Sequence, residues 1–223
     1  MHILEKIISV VTPYSCIACG REGRLVCRYC QPDLCLSLPP HCYRCNALSP
    51  NNMVCGKCRR VSPLRHVWIA SDYSGYAKEL IHKLKFEGAQ AAATIVASAL
   101  KEALPYLEDV ILVPVPTATS RIRQRGYDHA KLVVNELANL THTQARPLLG
   151  RLGQTRQVGT KRLQRQSQLQ GAFWPQHQKA IKGRNILLVD DVITTGSTLE
   201  QAAKVLRKAG AKTVNAVVFA QRQ

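Results

Sequence analysis

From residue 63 onward the apolar positions follow two alternating rhythms. Four stretches read as strands: "HVWIASDY" (66–73), "DVILVPVP" (109–116), "RNILLVDD" (184–191) and "KTVNAVVFA" (212–220). The first is β-branched and aromatic, and the second stops at prolines. The third is a continuous apolar run, as expected for a strand covered on both faces. Between them lie helical stretches. "YAKELIHKLKF" (76–86) puts Leu80, Ile81 and Leu84 on one face, and "AQAAATIVASALKEAL" (89–104) is a strong helix former with small packing residues. "HAKLVVNELANL" (129–140) follows Gly126 and Asp128, which mark its start. "STLEQAAKVLRKAG" (197–210) reads as a helix with Ser197 as N-cap, basic residues in its last turn and Gly210 just past its end. Strands alternating with helices predict an α/β domain, a mostly parallel sheet with helices on both faces, over residues 63–223.

Residues 1–62 show no such rhythm. "MHILEKIISVVTPY" carries an apolar stripe (Ile3, Leu4, Ile7, Ile8, Val11) broken by Glu5 and Lys6, with no small-residue cleavage site after it. It reads as a short amphipathic helix ending near Thr12-Pro13 rather than a signal peptide. The nine cysteines of the chain all fall between Cys16 and Cys58. Eight form C-x-x-C pairs: Cys16/Cys19, Cys27/Cys30, Cys42/Cys45 and Cys55/Cys58. Such a turn points two thiolates at one metal, and two turns complete a four-thiolate zinc site. Disulfides fit poorly with an odd cysteine count, and a thioredoxin-like redox motif would occur once, not four times. Two structural zinc ions are expected, with sequential or interleaved pairing left open by the spacing. Cys35 reads as a small buried hydrophobe.

Charge adds a second signal. The chain of 223 residues has 31 Lys+Arg against 14 Asp+Glu, a net charge of +17. A field of that sign attracts nucleic acid and phosphorylated ligands. No stretch has the roughly 20 apolar residues of a membrane span, so no integral membrane association and a cytoplasmic location are expected.

The chemistry concentrates in "LLVDDVITTGSTL" (187–199). A parallel strand delivers its C-terminal end to the binding crevice of an open α/β sheet. Asp190 and Asp191 arrive there, and two adjacent carboxylates suit a sugar diol or a hydrated divalent cation. Thr194, Thr195, Gly196, Ser197 and Thr198 follow at the mouth of a helix, where free N–H groups favour a phosphate. The layout is that of a ribose 5-phosphate site. Neither a Walker loop nor a dinucleotide G-x-G-x-x-G is present.

That stretch resembles the phosphoribosyl-pyrophosphate (PRPP) motif of type I phosphoribosyltransferases. The cysteine pairs, "LIHKLKFEG" (80–88), "VPVPTATSRIRQRGYDHA" (113–130) and "RLGQTRQVGTKRLQRQSQLQGAF" (151–173) extend the resemblance, more narrowly, to the ComF/GntX family. The resemblance implies a double zinc ribbon ahead of a type I phosphoribosyltransferase-like domain. It implies that Asp190 and Asp191 contact the ribose hydroxyls, that Thr194 to Thr198 hold the 5-phosphate, and that Mg2+ accompanies PRPP. It also implies a role in natural transformation, with single-stranded DNA and DNA-uptake proteins as partners. Arg121 and Arg125, with Lys85 beside them, are the cations nominated for the pyrophosphate. Residues 155–168 match the position of the loop that closes over the site in this fold. Arg123, Arg151, Arg156, Lys161, Arg162 and Arg165 are nominated to track a nucleic-acid backbone. The chain departs from the family's Arg-Gly-aromatic-Asn-Gln by having Asp128 and His129 after Tyr127. Asp128 can serve as a helix cap, but a carboxylate facing a phosphate would repel it. His66, His82, His129, His142 and His177 show no ligand spacing and read as surface or packing residues. Two alternatives stand beside this reading: a nucleobase-salvage phosphoribosyltransferase, and a DNA-binding adaptor that has lost the chemistry.

Overall fold

The computed structural model describes residues 14–34, 38–87, 89–151 and 173–222. The N-terminal stripe, Cys35 and the candidate closing loop, with Arg156, Lys161, Arg162 and Arg165, lie outside the described residues.

Four parallel strands form the central sheet: β1 (Val67–Asp72), β2 (Val110–Pro114), β5 (Asn185–Ile193) and β6 (Thr213–Gln221), in the order β1-β6-β5-β2. All four were legible from their apolar runs. Because side chains alternate along a strand, each strand feeds two cores. Val67, Ile69, Ile111, Val113, Ile186, Leu188, Val214, Ala216 and Val218 face one side. Trp68, Ala70, Leu112, Leu187, Val189, Val217 and Phe219 face the other. Phe219, Ile186 and Leu187 are fully enclosed. A sheet buried on both faces explains why β5 reads as an unbroken apolar run.

In chain order the helices are α1 (Gln31–Leu34), α2 (Gly56–Arg59), α3 (Gly75–Phe86), α4 (Ala89–Ala103), α5 (Thr119–Arg125), α6 (His129–Thr141), α7 (Gln178–Ile181) and α8 (Ser197–Lys208). The buried residues of α3, α4 and α6 cover the Leu187/Phe219 face. Those of α7 and α8 cover the other. Leu199, Ala202, Ala203 and Leu206 form the buried stripe of α8. Its end is a Schellman turn: Gly210, at φ +96°, donates to the Arg207 carbonyl, and Ala211 donates to that of Leu206.

Several features depart from the sequence reading. Ser197 is not the N-cap of α8. Gly196 occupies that position at φ +77°, and Ser197 is the first helical residue. The loop needs a left-handed residue to enter the helix, which a serine adopts poorly. β5 runs two residues past the acids, to Ile193, so Asp190 and Asp191 sit inside its last turn of pleat rather than at its final residues. A two-stranded antiparallel ribbon, β3 (Leu149–Arg151) with β4 (Phe173–Pro175), flanks the candidate closing loop, and helix α5 lies where only a loop was read. Phe173-Trp174 reads as a strand or core edge in the sequence, and β4 bears that out, with Phe173 buried; β3 is too short for a periodic signal. The Trp174 indole packs directly over Gly150 of β3, where a Cβ would sit 2.3 Å from Cε2 and the ring would have to move.

The cysteine-rich segment folds as two knuckles, one against each face of the sheet. Leu25 and Val26 of the first join the core beside α3 and α4. Cys42, Tyr43 and Val54 of the second join the core beside α8.

Candidate functional site

Asp190 and Asp191 are placed by the C-terminal part of β5, with Asp190 Oδ1 accepting a hydrogen bond from the Asp191 amide at 2.9 Å. Two helices converge on Asp191. Lys85, near the end of α3, puts Nζ 2.5 Å from Asp191 Oδ2. His129, first residue of α6, puts Nε2 3.3 Å from the same oxygen. The other ring nitrogen, Nδ1, lies 3.1 Å from Arg125 Nη1. With a guanidinium donating to Nδ1, the imidazole donates from Nε2, so His129 bridges Arg125 to the carboxylate. The Arg125 guanidinium also stacks on the Phe86 ring at 5.0 Å, and its Nε is buried without a hydrogen-bond partner among the described residues.

The two acids are driven apart in acidity. Burial, reinforced by the neighbouring Asp191 charge, pushes Asp190 well above the usual carboxylate range. Burial acts on Asp191 in the same sense, but His129 and Lys85 outweigh it and hold Asp191 well below that range. Such a pair carries one negative charge where two would crowd each other.

Beyond β5 the chain turns through Thr194–Thr198. The four hydroxyl side chains are exposed and Gly196 is buried. Thr195 Oγ1 accepts from the Ser197 amide at 3.4 Å, and its hydroxyl donates to Ser197 Oγ at 3.2 Å. The first N–H groups of α8 open onto this loop, beside the carboxylates. A helix mouth of this kind can take an anion, and the carboxylates on the preceding strand are acceptors for hydroxyls.

The thiols form two groups, Cys16/Cys19/Cys27/Cys30 and Cys42/Cys45/Cys55/Cys58, each with ligand atoms within 4.8 Å of one another. The pairing is therefore sequential. A tetrahedral zinc with Zn–S of about 2.3 Å implies sulfur atoms about 3.8 Å apart. Cys19 and Cys27 lie 3.7 Å apart, as do Cys45 and Cys55. The backbone N–H of Cys27 points at Cys16 Sγ at 3.4 Å, as needed to stabilise a thiolate. Burial opposes ionisation of Cys16, but amides of Cys27, Cys19 and Ala18 bring it down to about 6. Each group can hold one zinc ion.

Residues 87–223 match the phosphoribosyl transferase domain. The chain belongs to the phosphoribosyltransferase family. Within it, the two thiol groups and the similar curated proteins assign it to the ComF/GntX branch. Competence protein F of Haemophilus influenzae is 30% identical over 90% of this chain and 94% of its own. The DNA utilization protein YhgH of Salmonella typhimurium is 31% identical over 80% and 82%. Among solved structures, an adenine phosphoribosyltransferase superposes with a TM-score of 0.40 at 17% identity, over 67% of this chain and 90% of that one.

In this ComF-type chain the other nominated residues fall as follows. Arg121 and Arg123 are exposed on α5. Arg125 is engaged by His129 and Phe86, and Lys85 by Asp191. Arg151 donates to the Pro116 carbonyl at 3.2 Å and covers Phe173, so its charge is tied to the scaffold. Asp128 caps α6: its Oδ1 accepts from the amides of Ala130 (3.1 Å) and Lys131 (3.3 Å). The sequence reading missed His129, taken for a packing residue, although its place beside the Arg-Gly-Tyr-Asp motif was a usable signal. It also missed Tyr43, which packs under Gly196 and carries no sequence signal at all. Among the described residues, no helix is long and apolar enough to cross a membrane.

Proposed function

We propose that this protein binds PRPP, or a related ribose 5-phosphate ligand, with Mg2+, at the mouth between β5 and α8, and that it acts on single-stranded DNA in natural transformation. The observation that carries the ligand assignment is the juxtaposition of the Asp190/Asp191 pair with the glycine-hinged hydroxyl loop at a helix N-terminus. In this reading the carboxylates accept hydrogen bonds from the ribose hydroxyls. The loop amides and the side chains of Thr194, Thr195, Ser197 and Thr198 hold the 5-phosphate. Arg121 and Arg125 face the pyrophosphate. Lys85 and His129 keep Asp191 ionised and aimed. Mg2+ would be held chiefly by the phosphates of the ligand, with Asp190 and Asp191 nearby, and would neutralise their charge. If turnover occurs, it is transfer at the anomeric carbon, and the protein's contribution is orientation and electrostatic stabilisation of an oxocarbenium-like centre.

The DNA role rests on the relatives named for competence and DNA utilization and on the net charge of +17. Arg123, Arg156, Lys161, Arg162 and Arg165 are the candidates for backbone contacts, and the two zinc ions hold the knuckles. Proteins of the DNA-uptake machinery are the expected partners, and the cytoplasm the expected location.

The test is calorimetric titration of PRPP with Mg2+ into zinc-loaded protein, with the Asp190→Asn/Asp191→Asn double variant as control. Saturable binding lost in the control is the expected result. No binding by the folded wild type up to about 1 mM would refute the ligand assignment and leave a DNA-binding adaptor as the surviving alternative.

A further inference from the structure

The second knuckle grips the phosphate loop from beneath. A Cβ built on Gly196 would lie 2.5 Å from Tyr43 Cε2 and 3.0 Å from Cδ2, so the ring of Tyr43 fills the space directly under the loop's hinge. Tyr43 lies inside the Cys42-x-x-Cys45 turn and is 3% exposed. Its hydroxyl donates to Glu200 Oε1 at 2.6 Å and lies 2.8 Å from Ser62 Oγ. Arg44, the next residue of the same turn, pairs with Glu200 Oε1 at 3.0 Å. Glu200 sits in the first turn of α8, one residue beyond the buried Leu199. The same knuckle also holds the end of β6, which pairs with the strand that enters the loop. His41 Nε2 lies 2.7 Å from Gln221 Oε1, and Gln221 Nε2 donates to Asn46 Oδ1 at 3.2 Å. Gln221 is the register partner of Ile193, the last residue before the loop. Both ends of Thr194–Thr198 are therefore braced by side chains that the Cys42/Cys45/Cys55/Cys58 cluster orients. The first knuckle packs on the opposite face, through Leu25, Val26 and the Tyr76 hydroxyl on the Ala18 carbonyl.

We propose that Tyr43 is a positioning residue for the 5-phosphate loop, and that it couples the second thiol cluster, and not the first, to ligand binding. The proposal rests on the ribose-phosphate reading of the site. Its physical basis is that the Cys42–Cys45 turn sets the direction of the Tyr43 side chain. A knuckle closed on its metal presents the ring at one height under Gly196, whereas an opened one removes the floor of the loop and the anchor of Glu200. Coupling of this kind is reciprocal, so a ligand that orders the loop must also protect the cluster.

The experiment uses the full zinc-loaded chain. A metal chelator and a thiol-alkylating reagent are added with and without ribose 5-phosphate, and mass spectrometry reads the labelling rate of each cysteine. Calorimetry measures ribose 5-phosphate affinity in parallel. The expected result is that the ligand slows labelling of Cys42, Cys45, Cys55 and Cys58 by about fivefold or more, the low end of typical coupling. The labelling of Cys16, Cys19, Cys27 and Cys30 stays unchanged. Tyr43→Leu should weaken ligand binding by a similar factor and abolish the selective protection. Tyr43→Phe keeps the ring and should retain most of both. Wild type that binds the ligand with equal or no protection of the two clusters overturns the coupling while leaving the ligand site intact. So does a Tyr43→Leu protein that binds the ligand as wild type does. A wild type that binds no ribose 5-phosphate overturns the ligand reading and the coupling together. The wild-type labelling pattern needs no variant, so the test decides even where Tyr43→Leu does not fold.

Discussion

Replacing Gly196 by alanine tests the loop geometry in two separable parts. The first is backbone: Gly196 has φ +77°, and a residue with a Cβ in that region costs about 1–2 kcal/mol. The second is steric. The new Cβ would meet Tyr43 Cε2 at 2.5 Å, where comfortable carbon contacts are about 3.5–4.0 Å, so the ring must withdraw by about 1 Å. It cannot do so freely, because its hydroxyl is tied to Glu200 and Ser62 and the ring is buried. Overpacking of this kind typically costs about 1–3 kcal/mol. Gly196→Ala should therefore lose about 2–5 kcal/mol of stability, the sum of the two ranges. Denaturant unfolding of the zinc-loaded protein measures it. In a Tyr43→Ala background the steric part vanishes and only the backbone part, about 1–2 kcal/mol, should remain. The non-additivity in the double-mutant cycle should then be about 1–3 kcal/mol. Equal losses in the two backgrounds, or a loss below about 1 kcal/mol in the wild type, would refute the claim that Tyr43 occupies the space under the loop.

Three further outcomes follow from the site. Asp190, whose acidity is weakened in the fold by burial and by Asp191, binds its proton more tightly folded than unfolded. Its contribution to stability is thus present at low pH and lost as pH rises from the usual carboxylate range through its raised value. Asp190→Asn should consequently gain in Tm relative to wild type between pH 5 and pH 8, and a constant difference across that range would contradict the assignment. Lys85→Met removes the closest cation from Asp191 and should destabilise on the order of 2 kcal/mol at neutral pH, below the 3–5 kcal/mol of a fully buried pair because both groups keep some water. Since Asp191 is held below its unfolded value, this loss should fade as pH falls below about 4; chemical denaturation at pH 7 and pH 3 checks both. Asp128→Ala orphans the amides of Ala130 and Lys131 and should cost about 1 kcal/mol, while Asp128→Asn should be nearly neutral, as read by thermal melts; a large loss in the Asn variant would mean that the charge, not the cap, is what matters.

What the sequence alone determined is what local chemistry dictates. Apolar runs bounded by Pro, Gly and Asp gave β1, β2, β5 and β6 to within a few residues, because a strand buried on both faces has to be apolar throughout. The C-x-x-C spacing announced two metal sites, because two thiolates three residues apart on a tight turn point the same way. "DDVITTGST" marked a candidate site because it puts acids, a glycine and hydroxyls at a strand–helix junction, where a helix N-terminus can take an anion. Tertiary structure decided the rest, which depends on residues distant in sequence. Which C-x-x-C pairs share a cluster was fixed by how the knuckles fold back on themselves. His129 became a partner of Asp191 only when α6 and β5 were packed together, 62 positions of sequence apart by their own numbering. Tyr43 came to lie under Gly196 because the second knuckle seats on the α8 face of the sheet. Strand β3 and helix α7 left no readable pattern, since three or four residues are too few for either period to show, whereas the aromatic pair Phe173-Trp174 marked β4. Gly196 could be read as a hinge from the sequence, but the ring that forbids a side chain there is supplied by a residue 153 positions away, and no local pattern carries that information.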